Sequence, residues 1–173
     1  MKMPLRRLAH MAVLTAIALT IFMVEAQIPV PLPVPGVKLG LANIVTVYAM
    51  FALGPAPTLL ILAARIILGA VFSGRVVALL YSASGGLLCY LAMLGMRRIL
   101  TPRQIWICSV IGAMFHNAGQ ILAAIFVLRA TGIVAYLPVL LISAIASGVF
   151  TGVCAQLLVN RLGDMLKVPK NLK

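Results

Sequence analysis

Acidic side chains are nearly absent from this sequence. Among its 173 residues only Glu25 and Asp164 carry a carboxylate, against 14 lysines and arginines. The helix order predicted below places these two on opposite sides of a membrane, so they cannot form the paired-carboxylate sites that hold magnesium. The sequence also lacks a Walker phosphate-binding motif and any nucleophile–base–acid constellation. We therefore expect a protein that is not an enzyme and that has no cofactor or metal.

Charge of either sign is scarce. Charged residues make up 9% of the chain and hydrophobic residues 64%, with a mean hydropathy of +1.18. Soluble domains are about a quarter charged, so this composition indicates an integral membrane protein in contact with the lipid bilayer. The net charge of +12 does not indicate a nucleic-acid partner, because the basic residues are dispersed at the ends of the hydrophobic runs.

Cysteine is also sparse, and its positions do not indicate a metal or redox site. Cys89, Cys108 and Cys154 each fall inside an apolar run and form no CxxC pair. They have no metal-like spacing with His10 or His116, so we interpret them as small core residues.

What is abundant is long apolar sequence. Apolar stretches separated by helix breakers predict one domain over residues 1–173, an all-α bundle of six transmembrane helices. A signal peptide over residues 1–26, cleaved after "VEA", is a rival interpretation, but the apolar stretch is long for one and we expect a retained helix. The predicted spans are 8–27, 37–53, 56–72, 76–96, 104–130 and 134–162.

The basic residues predict the orientation of this bundle. With six spans, ten basic residues share one side of the membrane and three lie on the other. Cytoplasmic loops carry the excess of lysine and arginine, so both termini are expected in the cytoplasm. The ten are Lys2, Arg6, Arg7, Arg97, Arg98, Arg103, Arg161, Lys167, Lys170 and Lys173.

Several polar residues interrupt the predicted spans and are expected to meet in the outer half of the bundle. A charge inside a span is a functional candidate by default, because its energetic cost is tolerated only for a reason. The fifth span carries three polar side chains at helical spacing in "FHNAGQ" (115–120). The candidate substrate-binding residues are Glu25, Lys38, Asn43, Arg65, Ser84, His116, Asn117 and Gln120.

Each of these residues also has a structural interpretation, and the sequence leaves both open. Arg65 could snorkel or form an ion pair with Glu25. The polar side chains of the fifth span could join helices, at about 0.6 kcal/mol per hydrogen bond. Ser84 could bond its own backbone. The segment "PVPLPVPG" at 29–36 favours polyproline geometry and could be a lid, through its residues 29–35, or a rigid connector.

The first span carries small residues at four-residue spacing. Ala12, Ala16 and Thr20 would let another helix approach closely, either a neighbour in the bundle or a partner protein.

Three segments together resemble a known family. They are "EAQIPVPLPVPGVKLGLANIV" (25–45), "SASGG" (82–86) and "FHNAGQ" (115–120), and they resemble the Gx transporters, often labelled heptaprenyl diphosphate synthase component I. That family is similar to the S components of energy-coupling factor (ECF) transporters, which are six-helix proteins of bacterial cytoplasmic membranes without an ATPase of their own. The resemblance implies a T component and ATPase subunits as partners. It also implies that Ala12 and Ala16 match the Ala-x-x-x-Ala docking pattern, which Thr20 extends imperfectly.

These observations predict a membrane-embedded subunit that captures a small, anionic, partly apolar molecule from the outer side. The family resemblance implies an isoprenoid or quinone precursor, or a vitamin-like compound. Arg65 and Lys38 would attract the anion, while His116, Asn117 and Gln120 would orient the ligand. The alternative is a non-catalytic subunit or scaffold of heptaprenyl diphosphate synthase, since the aspartate-rich motifs of prenyl synthases are missing. A stand-alone carrier ranks last, because the two halves of the sequence do not match as inverted repeats.

Overall fold

The computed structural model describes residues 5–27, 40–74 and 76–162, and six α-helices make up most of them. Two short 3₁₀ segments, Pro102–Gln104 and Thr131–Tyr136, are also present, and the described ranges contain no strand. The predicted all-helical class is thereby confirmed. The helices are α1 (Leu5–Glu25), α2 (Asn43–Ala52), α3 (Pro55–Ser73), α4 (Val76–Met96), α5 (Ile105–Leu128) and α6 (Leu137–Leu162).

The ends of α3 show why the predicted breakers work. Gly54 has φ +91°, a conformation that favours glycine, and Pro55 takes the first position of the helix, where its missing N–H costs nothing. Gly74 ends α3 with φ +62° and donates its N–H to the carbonyls of Ala70 and Val71. Because these signals are local, they can be read from the sequence. The predicted bounds of 56–72 therefore differ from the observed helix by only one residue at each end.

Five helices, all except α2, are long and apolar enough to cross a membrane. The span predicted at 37–53 needs correction, because α2 has ten residues and rises only about 15 Å, half of a typical hydrocarbon core. Its start is set by Gly40, whose φ of +81° interrupts a helix. Residues 37–39 lie outside the described residues. The cytoplasmic location of the termini remains a prediction.

One side of the bundle is packed through glycines. α5 packs chiefly against α4 and α6. A Cβ added at Gly119 of α5 would lie 2.7 Å from the Ser84 carbonyl oxygen of α4, and one at Gly152 of α6 would lie 2.6 Å from the Cα of Trp106. These backbones therefore approach as closely as small residues allow in membrane helices.

The other side of the bundle is formed by α1, α2 and α3. The side chains of Val47, Ala49 and Met50 of α2 are fully buried. α1 packs on α3 where the ring of Phe22 covers Gly69, since a Cβ there would lie 2.8 Å from Phe22 Cε1. Large apolar side chains, including Leu5 and Phe126, are exposed on the outside of the bundle, as expected for helices that face lipid.

Candidate functional site

Five polar side chains are buried where the end of α1 and the start of α2 approach the middle of α3 and α5. Each is at most 4% exposed, although buried polar groups are costly in a protein that spans a membrane. We call this set the buried polar cluster, and its members are Glu25, Asn43, Arg65, His116 and Gln120.

Gly40 joins three members of the cluster. Its N–H donates a 2.5 Å hydrogen bond to Glu25 Oε1, which ties the end of α1 to the start of α2. A Cβ at Gly40 would lie 2.9 Å from Asn43 Nδ2 and 3.4 Å from His116 Cδ2. The backbone of Gly40 therefore lies directly against both side chains, at a position where only glycine fits.

Gly85 of α4 closes the cluster on the opposite side of His116. A Cβ at Gly85 would lie 3.0 Å from His116 Cε1 and 3.0 Å from Gln120 Cγ. His116 and Gln120 are four residues apart on α5 and share one helix face, as the sequence predicted. The imidazole of His116 therefore lies between Gly40 and Gly85.

Arg65 enters the cluster from α3. Its Cζ lies 5.7 Å from the ring centroid of Phe22, within cation–π range. The guanidinium interacts electrostatically with Glu25 and with His116. Among the described residues no ion pair joins Arg65 to Glu25, whose Oε1 is bonded to Gly40 instead. The ion pair considered as an alternative for Arg65 is therefore not formed.

Most of the cluster lacks hydrogen-bond partners. Five of its buried polar atoms are unpartnered: Asn43 Oδ1, Arg65 Nε, Arg65 Nη2, His116 Nδ1 and Gln120 Oε1. A buried polar atom without a partner costs about 1–3 kcal/mol, and such atoms are rare in native proteins. Their concentration at one place is what a binding site for a polar ligand would present.

In the described ranges, two further buried atoms without partners lie outside this cluster. Tyr48 Oη belongs to a ring whose centroid lies 6.4 Å from that of His10. Arg97 Nε belongs to a side chain that lies near Gly54. Each is isolated, so neither location resembles the cluster.

Two of the predicted site residues form hydrogen bonds between helices. Asn117 Nδ2 donates a 2.7 Å hydrogen bond to the carbonyl of Leu140 in α6. Ser84 Oγ donates a 2.8 Å hydrogen bond to the carbonyl of Gly119 in α5. The Asn117 contact is of the kind that the sequence left open for the fifth span. For Ser84 the alternative was a bond to its own backbone, and Ser84 Oγ also lies 3.3 Å from the carbonyl of Tyr81 in its own helix. Lys38 and the proline-rich segment 29–35 lie outside the described residues.

Sequence reasoning missed Gly40, which contributes its backbone and the absence of a side chain. Its position two residues after Lys38 and three before Asn43 was the only available hint. A glycine that a neighbouring helix approaches has no sequence pattern of its own, so this role could not be read from the chain.

The small residues of α1 lie on the outside of the bundle. Ala12, Ala16 and Thr20 are exposed, whereas Leu14 and Ala18 point inward. Of the two interpretations given for these residues, packing inside the bundle does not apply to the described part of the chain. Docking of a partner remains a prediction.

Five helices that can cross a membrane and a buried polar cluster between them define the class: a helical membrane protein with a candidate small-molecule site. In the described ranges no three His, Cys, Asp or Glu side chains are grouped to hold a metal ion. Residues 14–158 match the family model of heptaprenyl diphosphate synthase component I, so the chain belongs to that family. Comparison with curated proteins and with solved structures gives no match.

Proposed function

We propose that this protein is the membrane-embedded substrate-binding subunit of an ECF-type transporter, similar to an S component. It captures a small, anionic, partly apolar molecule from the outer side of the membrane. The observation that carries this proposal is the buried polar cluster, in which four side chains from three helices have unpartnered polar atoms.

Arg65 supplies the main attraction for the ligand. Its guanidinium has two unpartnered nitrogen atoms, and the planar group suits a carboxylate or a phosphate. Away from water, each charge-assisted hydrogen bond is stronger than in solution. Asn43, His116 and Gln120 would complete the polar contacts and fix the orientation of the ligand.

Transport would need partner subunits. The chain contains no ATP-binding motif, so a T component and ATPase subunits would supply the energy. The exposed face of Ala12, Ala16 and Thr20 suits close approach of a partner helix, and it lies on the opposite side of α1 from the buried Ala18 and Phe22.

The family description favours a second candidate function. A protein of the heptaprenyl diphosphate synthase component I family could be a non-catalytic membrane subunit or scaffold for a soluble prenyl-chain enzyme. This candidate predicts co-purification with a synthase and no bound small molecule. This candidate function does not explain the unpartnered atoms of the cluster, so we rank it second.

Native mass spectrometry of the protein from its own membrane tests both candidates. We expect a bound small molecule together with a T component and two ATPase subunits. A soluble synthase without a ligand would support the scaffold instead.

Thermal unfolding with the identified molecule then tests the site. We expect Arg65→Ala to abolish the stabilisation and Arg65→Lys to weaken it, because lysine keeps the charge and loses the planar fork. Arg98→Ala is the matched control, since Arg98 is exposed at the end of α4. A ligand shift that survives in Arg65→Ala would contradict the proposed site.

A further inference from the structure

Glu25 has no assigned role in the attraction of an anion, yet it lies in the cluster. It is the only carboxylate in the described residues and is almost fully buried. A negative charge next to the binding site of an anion needs an explanation, because the two charges repel. The inference below rests on the proposed function and concerns the class of ligand.

The position of Glu25 is fixed on two sides. It is the last residue of α1 and follows Ala18 and Phe22 on the buried face of that helix. Phe22 packs against the guanidinium of Arg65, so Glu25, three residues further along, faces the same region. Its Oε1 is held by the N–H of Gly40.

This arrangement balances the charge of Arg65 without occupying its hydrogen-bonding atoms. Arg65 Nε and Nη2 remain unpartnered, while the Glu25 carboxylate interacts with the guanidinium through space. The charges of Arg65 and Glu25 therefore cancel within the cluster. A ligand with one negative charge adds one uncompensated charge, whereas a diphosphate adds two or more in a region of low dielectric constant.

The other unpartnered atoms point to the same kind of ligand. Asn43 Oδ1 and Gln120 Oε1 are acceptors without donors. In the observed orientation of the two side-chain amides, a fully ionised diphosphate would leave both oxygen atoms unpaired, because it has only acceptor oxygens. A ligand with N–H or O–H groups beside its anionic group would satisfy them.

We propose that Glu25 limits the charge of the ligand, so that the site takes molecules with one negative charge and adjacent hydrogen-bond donors and rejects diphosphates. Glu25 is thus a specificity-determining residue, and the isoprenoid diphosphates are excluded from the ligand classes considered above.

The charge limit can be tested apart from the donor requirement with two anions that share one apolar chain and, when ionised, have no N–H or O–H group: geranic acid and geranyl diphosphate. Affinities are measured for the wild-type protein in lipid nanodiscs at constant ionic strength. We expect geranic acid to bind at least about tenfold more tightly than geranyl diphosphate. The opposite order in the wild-type protein would overturn the inference while leaving an anion site at Arg65 intact.

Glu25→Gln is the decisive variant, because its amide oxygen still accepts the Gly40 N–H while the charge is removed. We expect it to tighten geranyl diphosphate binding more than geranic acid binding, so that the affinity ratio falls at least about threefold. An unchanged ratio would overturn the inference. Glu25→Asp is the control for lost geometry, because it keeps the charge on a shorter side chain, and it should weaken both acids alike.

The wild-type ligand gives a test that needs no variant. The molecule found by native mass spectrometry should carry one negative charge at neutral pH and at least one N–H or O–H group. A bound diphosphate would overturn the charge limit and still support the proposed function. Absence of any ligand, with affinities that Arg65→Ala leaves unchanged, would contradict the proposed function itself.

Discussion

The polar residues on two faces of α5 differ in whether they have hydrogen-bond partners. Towards α6, Asn117 and Ser109 are hydrogen-bonded, to the Leu140 carbonyl and to Thr151 Oγ1 respectively. Towards Gly40 and Gly85, His116 and Gln120 keep buried atoms without partners. Adjacent residues, His116 and Asn117, therefore differ in role. We conclude that a polar residue in a membrane helix stabilises the bundle only where a neighbouring helix provides a hydrogen-bond partner.

The largest expected contrast concerns Arg65. Arg65→Leu should reduce ligand binding by about 2–5 kcal/mol, because a buried charged partner is lost. In a Glu25→Gln background, where no uncompensated carboxylate is left behind, it should not lower the thermal midpoint of the ligand-free protein, because it removes two unpartnered buried nitrogen atoms. Calorimetric unfolding with and without ligand measures both effects. A large loss of stability in the Glu25→Gln background would mean that Arg65 is structural.

A substitution in the glycine-packed contact between α4 and α5 should lower the stability of the protein, in contrast to the Arg65 variant. Gly119→Ala should destabilise the protein by about 1–3 kcal/mol or more, because the new Cβ meets backbone atoms that cannot move aside. Those atoms are the Ser84 oxygen at 2.7 Å and the Gly85 Cα at 2.8 Å. Gly95→Ala is the matched control on α4, where an added Cβ meets nothing within 4 Å. Unfolding in detergent measures the difference, and equal stability of the two variants would refute the packing argument.

Two variants on α5, with smaller expected effects on stability and binding, distinguish its two faces. Asn117→Leu should lose about 1 kcal/mol of stability with its bond to Leu140 and should leave ligand affinity unchanged. Gln120→Leu should keep or gain stability, because an unpartnered buried oxygen is removed, and should weaken binding about tenfold. If Asn117→Leu weakened binding as strongly, the division between the two faces would be wrong.

The smallest effect is expected at Ser109. Ser109→Ala should cost only about 0.6 kcal/mol, because Thr151 Oγ1 keeps its bonds to the carbonyls of Ser147 and Gly148. Double-mutant analysis with Thr151→Ala gives the coupling between the two hydroxyl groups. Coupling well above this value would place the α5–α6 contact among the main stabilising interactions.

Most residues of the candidate site can be predicted from the sequence, but the contacts that they make cannot. Arg65, His116 and Gln120 were predicted from their cost in an apolar run, and they lie in one cluster. Glu25 was predicted near Arg65, but its bond to Gly40 was not. Asn117 and Ser84 could not be separated from the others, because all are polar residues at helical spacing.

The chain by itself determined the membrane class, the number of helices and the helix ends at Gly54–Pro55 and Gly74. These follow from composition, periodicity and local backbone preferences, which need no long-range contact. Which polar side chains find partners, and which remain unpartnered, could be seen only from the packed helices. Those outcomes depend on the rotation of each helix and on how closely its neighbours approach, and residues distant in sequence set both.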